Sequence, residues 1–123
     1  MNLLLDTHVV LWWLDDSPNL PAPARKAIAD TTNVCFVSAA TLWEIEIKRA
    51  LGKLSIPESY RDALARQGFR ELPVSWTHTC ALRSLPPIHR DPFDRMLVAQ
   101  AMSDDLVIVT ADETVRRYEV RVL

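Results

Sequence analysis

The chain has 123 residues, 49% hydrophobic and 24% charged, enough for one globular domain that buries roughly two-thirds of its unfolded surface. Its 14 Lys and Arg against 16 Asp and Glu leave a formal net charge of −2, which excludes nucleic-acid binding by bulk positive charge but not a basic rim around an acidic site. The longest apolar run, Val9 to Leu14, is far short of a membrane span, and Asp6 interrupts any leader-like start. With 2 Gly in the chain, glycine-rich phosphate loops cannot be written.

The organisation is read in chain order. Asn2 to Leu5 is a short buried strand ending at Asp6, and Thr7 to Asp15 is a helix. Asp16-Ser17-Pro18-Asn19 is a turn, and Pro21 to Asp30 is a second helix. Val34 to Val37 is a β-prone strand. Ser38 caps a helix from Ala39 to Leu51, which Gly52 stops. Glu58 to Gln67 is a helix, Phe69 to Val74 a third strand, and Ser75 caps a helix running to about Ser84. Leu85-Pro86-Pro87 cannot continue it. Asp91-Pro92-Phe93-Asp94 has an Asp cap, Pro at the first helical position and an acid in the first turn, so a helix starts there and runs to about Ser103. Leu106 to Val109 is the clearest strand. A short helix from about Asp112 and a last strand at Val120 to Val122 follow. Apolar strands alternating with helices indicate an α/β fold, its mostly parallel sheet of about five strands covered on both faces. Cys35 and Cys80 are too few for a disulfide scaffold and read as small buried thiols in a reducing cytoplasm.

The informative feature is where the acids fall. Asp6 ends the first strand, and Asp112 follows the Leu106 to Val109 strand by three residues. Glu44 and Asp94 lie near helix starts, which abut the same carboxyl edge of a parallel sheet, where sites form. Each acid also has an ordinary reading. Asp6, Asp91, Asp94 and Asp112 are helix-start residues, and Glu44 stands four residues before Lys48, an ion-pair spacing. Taken together, four acids from four segments favour convergence. Clustered carboxylates stay ionised only around positive charge. A hard divalent cation with oxygen ligands meets that need and would support phosphodiester hydrolysis. No Cys/His spacing suggests zinc.

Four segments carry a resemblance. They are Leu4-Leu5-Asp6-Thr7-His8, Val37 to Ile45 with Trp43-Glu44, His89 to Ala101 with Asp91-Pro92-Phe93-Asp94-Arg95, and Val109-Thr110-Ala111-Asp112. In this order they resemble the motifs of PIN-domain ribonucleases, in particular the VapC-like toxins of bacterial toxin–antitoxin pairs. The resemblance covers essentially the whole chain. It implies a three-layer α/β/α PIN-like domain over residues 1–123, and an acidic quartet of Asp6, Glu44, Asp94 and Asp112 holding Mg2+ or Mn2+. By it, Asp6 and Asp94 are the first ligands, Glu44 ligates directly or through water, and Asp112 acts through water or a second ion. Thr7, Ser38 and Thr110 match hydroxyl positions that orient carboxylates or water. Asp91 belongs to the motif but reads chiefly as a cap, and His8 stands where the family varies and is not expected to ligate.

The substrate implied is RNA, and the partners implied are a cognate antitoxin and a second copy of the chain. Arg90, Arg95, Lys48, Arg49, Arg116 and Arg117 flank the acidic motifs and are the natural phosphate contacts. Trp12 and Trp13 are adjacent and cannot share one helix stripe, so one is expected in the core and the other at an intermolecular contact. Two rival readings remain. A haloacid-dehalogenase-like phosphatase would need an acid where His8 stands and a late lysine, yet the last lysine is Lys53. A non-catalytic PIN-like binding module would gain only repulsion from an intact quartet.

Overall fold

In the computed structural model, which describes residues 1–123, four apolar runs become strands: β1 (Asn2–Leu5), β2 (Val34–Ser38), β3 (Arg70–Leu72) and β4 (Val107–Val109). They pair in parallel in the order β3-β2-β1-β4. Parallel pairing demands long crossovers, and helices supply them. These are α1 (Thr7–Leu14), α2 (Ala22–Ala29), α3 (Ala39–Ala50), α4 (Tyr60–Arg66), α5 (Trp76–Ala81) and α6 (Pro92–Asp104).

Successive side chains of a strand point to opposite faces, and both faces here are covered. Leu3, Leu5, Cys35, Val37, Val107 and Val109 pack with Val9 and Val10 of α1, Ile28 of α2 and Leu64 of α4. Leu4 and Ile108 face the other way, against Leu97, Val98 and Ala101 of α6 and Tyr118. The result is a three-layer α/β/α sandwich, which is why the central strands read as unbroken apolar runs. Burying each of Leu3, Leu4 and Leu5 completely contributes roughly 1.5–3 kcal/mol. No helix is long and apolar enough to cross a membrane.

Several expectations need correction. The sheet has four strands, not five: Val122 forms one isolated bridge with Ile108, and only Arg121 and Leu123 exchange backbone bonds with Ile108. The helix expected from Asp112 is a single 3-10 turn, Val115–Arg117, because the Asp112 side chain accepts from the Thr114 N–H and folds the chain back locally. Strand β3 stops at Leu72, before Pro73, which cannot donate to a ladder. The helix capped by Ser75 is α-helical only to Ala81 and then tightens into a 3-10 turn, Leu82–Ser84.

Cys35 is buried as expected, but Cys80 is exposed on α5. Trp12 and Trp13 are both packed on the first core, and the Trp13 indole N–H donates to Gln67 Oε1 at 3.1 Å. Both are partly buried there. The exposed tryptophans are Trp43, 64% accessible, and Trp76, 90% accessible.

Candidate active site

The carboxyl edge of the sheet collects the acids. Asp6 leaves β1 in extended backbone, and its Oδ1 accepts from the Val9 N–H at 2.9 Å, capping α1. Its Oδ2 accepts from the Thr110 hydroxyl, just past β4. Thr110 Oγ1 in turn accepts from the Asp112 N–H at 3.0 Å. Glu44 sits in the second turn of α3, buried, with Oε1 accepting from Thr7 at 2.8 Å and Oε2 2.6 Å from Lys48 Nζ. Both readings of Glu44, ion-paired and site-facing, are therefore combined in one side chain.

Helix α6 brings the third acid. Asp91 Oδ1 accepts from the Phe93 and Asp94 N–H groups at 2.8 and 3.1 Å, so Asp91 is spent on the cap and Asp94 is thrown toward the sheet edge. Asp94 Oδ2 lies 3.0 Å from His89 Nε2, and the same nitrogen lies 2.9 Å from Asp112 Oδ2. One ligand-type atom from each of His89, Asp94 and Asp112 lies within 4.8 Å of the others. Reasoning from sequence assigned His89 no role. The available signal was its place two residues before a capping Asp: its Nδ1 accepts from the Asp91 N–H at 3.1 Å.

The electrostatics record the convergence. Burial pushes Asp94 up to about 7, and the charges of Asp91, Asp6 and Glu44 add to that rise while His89 opposes it. Asp6 is also raised, by burial above all, although Thr110 and the Val9 N–H hold it down in part. Asp112 is burdened by its burial, but the His89 and Thr114 hydrogen bonds outweigh this and leave it lowered. The donor set fits a hard divalent cation. The residues that could hold it are the His89, Asp94 and Asp112 group, with the buried carboxylates of Asp6 and Glu44 on the same sheet edge, and the repulsion between desolvated Asp6 and Asp94 is what such an ion would relieve.

The remaining named residues divide. Thr7 and Thr110 bond acids directly, whereas Ser38 caps α3 through the Ala40 N–H at 3.0 Å and touches no acid of the group. His8 is exposed beside Trp12 and hydrogen-bonds no acid, although it lies near enough to help hold Asp6 down. Of the basic residues, Lys48 is held by Glu44, Arg49 by Glu46 and Glu58, and Arg95 by the Pro86 carbonyl and the Tyr118 hydroxyl. Arg90, Arg116 and Arg117 are exposed, Arg116 with weak contacts to Glu113 and the Thr110 carbonyl at 3.7 and 3.4 Å.

Comparison with known proteins agrees with this architecture. No curated protein sequence matches the chain. Among solved structures, VapBC2 from Rickettsia felis bound to a DNA fragment from its promoter superposes with a TM-score of 0.72 at 14% identity, covering 100% of this chain and 98% of that one. A toxin–antitoxin complex from Klebsiella pneumoniae gives 0.58 at 16% identity over 89% and 86% of the two chains. The PIN domain endonuclease Utp24 gives 0.53 at 20% identity over 94% and 74%. At these identities the likeness speaks for the fold. The PIN domain pattern itself matches residues 3–120, nearly the whole sandwich with all four acids, and the chain therefore belongs to the PIN-domain family.

Proposed function

We propose that this protein is a divalent-metal-dependent endoribonuclease, the toxin of a toxin–antitoxin pair, acting in the cytoplasm as a single PIN-like domain. The observation that carries the reading is geometric: Thr110 past β4 donates to Asp6 after β1, Thr7 donates to Glu44 of α3, and His89 lies against both Asp94 and Asp112, so acids from four segments gather at one sheet edge. Such a cluster is costly unless it binds a cation.

Asp6, Asp94 and Glu44 would hold Mg2+ or Mn2+. When bound, the cation supplies Lewis acidity at the scissile phosphate. The chain's own groups set up that site. Thr110 and the Val9 N–H fix both oxygens of Asp6, and each oxygen keeps a further lone pair. Thr7 and Lys48 fix Glu44. His89 bonds one oxygen of Asp94 and leaves Oδ1 for the site. Asp112, doubly bonded, acts through neighbours rather than by direct contact. Arg90, Arg116 and Arg117, exposed on the segments that carry Asp94 and Asp112, are the side chains available for RNA phosphates. Lys48, Arg49 and Arg95 first serve the fold.

The antitoxin assignment is supported by the Klebsiella pneumoniae likeness, itself a toxin–antitoxin complex; the second copy of the chain rests on the sequence resemblance alone. Brief expression in cells followed by sequencing of newly generated RNA 5′ ends tests the function. The wild type is expected to create discrete ends that Asp94→Asn does not. The same ends from both proteins would remove the ribonuclease assignment.

A further inference from the structure

We propose that His89 is a positioning residue: as an Nε2–H donor it ties Asp94 to Asp112 and fills the place a second cation would take, so that the centre carries one divalent ion. This rests on the metal-dependent reading above and deepens it.

The tautomer follows from the bonds. His89 Nδ1 accepts from the Asp91 N–H at 3.1 Å, so Nδ1 presents a lone pair and the ring proton sits on Nε2. A nitrogen bearing that proton has no lone pair for a metal. A ligating histidine is wired the opposite way, with its far nitrogen donating to a carboxylate or carbonyl. The ring cannot easily reverse. A flip would leave the Asp91 N–H without its Nδ1 acceptor, and capping of α6 by the Asp91 side chain keeps that N–H in place.

The Nε2–H group therefore points at Oδ2 of Asp94 and Oδ2 of Asp112, at 3.0 and 2.9 Å. Paired catalytic cations stand about 3.5–4 Å apart and need carboxylates between or beside them. Here the imidazole edge occupies the gap between these two acids. Asp112 is tied at both oxygens, Oδ1 by the Thr114 N–H at 2.8 Å and Oδ2 by His89, which holds its carboxylate beside the imidazole. On the reading above, Asp6, Glu44 and the free Oδ1 of Asp94 would serve the single ion, with Lys48 offsetting Glu44.

Titration of the full-length protein with Mn2+, followed by electron paramagnetic resonance of the free ion, counts the sites. Spin-echo modulation of the bound ion reports any directly coordinated imidazole nitrogen. The expected result is one Mn2+ per chain with no imidazole modulation, and a second, weaker Mn2+ in His89→Ala. His89→Gln, which keeps a side-chain N–H donor, is expected to restore the single-ion count. Two ions in the wild type, an imidazole signal, or an unchanged count in His89→Ala each overturn the proposal. No bound Mn2+ at all would instead remove the metal-dependent reading, and this proposal with it.

Discussion

Thr110 and Asp6 lie 104 residues apart in sequence, yet the Thr110 hydroxyl donates directly to Asp6 Oδ2. The polarity of that bond is set from behind. Thr110 Oγ1 accepts from the Asp112 N–H at 3.0 Å, so its one proton is aimed at Asp6. Pairing of β1 with β4, Leu5 opposite Val109, is what brings the two strand ends together.

Thr110→Val keeps the shape and removes the donor. Metal affinity is expected to fall about 10- to 100-fold, as for other outer-shell hydrogen bonds, while the fold persists. Calorimetric titration with Mn2+ checks this; unchanged affinity would deny Thr110 an orienting role.

The pH dependence of the metal-free protein has a definite sign. Asp94 is raised from 3.8 to about 7 in the fold, so between those values the folded chain holds a proton that the unfolded chain has lost. Stability therefore falls as pH rises from about 4 to about 7, by at most about 4 kcal/mol for this group. Asp94→Asn is expected to flatten that slope and to stabilise the metal-free protein at neutral pH. Urea unfolding in chelator across this range measures it, and Mn2+ added to the wild type at pH 7 should recover the lost stability.

Asp91 separates cap from charge. Asp91→Asn keeps a good cap acceptor and removes a charge that raises Asp94, so the descending part of the stability curve should move to lower pH. Asp91→Ala loses the cap as well and should cost about 1 kcal/mol. Equal stabilities for the two variants at neutral pH would contradict the cap assignment.

Core and surface should respond very differently. Leu4, wholly buried against α6, is expected to lose about 2–5 kcal/mol on Leu4→Ala. Trp76→Ser, at an exposed position, should stay within about 0.5 kcal/mol. Denaturant midpoints decide both.

Much of this is legible in the sequence alone. The start of α6 could be read from Asp91-Pro92 because capping is local chemistry. The central strands could be read because burial on both faces leaves unbroken apolar runs, as in Leu3-Leu4-Leu5. What escaped depends on distant partners. His89 acquires its role only when α6 and the segment after β4 bring Asp94 and Asp112 to the same nitrogen. Arg95 looks like a free cation until the Pro86 carbonyl and Tyr118 are seen to hold it, whereas the pairing of Lys48 with Glu44 is local and is readable from its i,i+4 spacing. Cys80, expected to be buried, is exposed for the same reason: which face of a short helix meets the core is a tertiary fact.

The most direct test is cleavage of a panel of structured RNAs by purified wild type and by Asp6→Asn prepared identically, with Mg2+ or Mn2+ and again in excess chelator. The account predicts cleavage at discrete positions by the wild type with metal, none in chelator, restoration when metal is returned, and a loss of at least about 100-fold in Asp6→Asn, the scale of removing a group that stabilises transition-state charge. Cleavage that persists in chelator, or that is equal in Asp6→Asn, would contradict it.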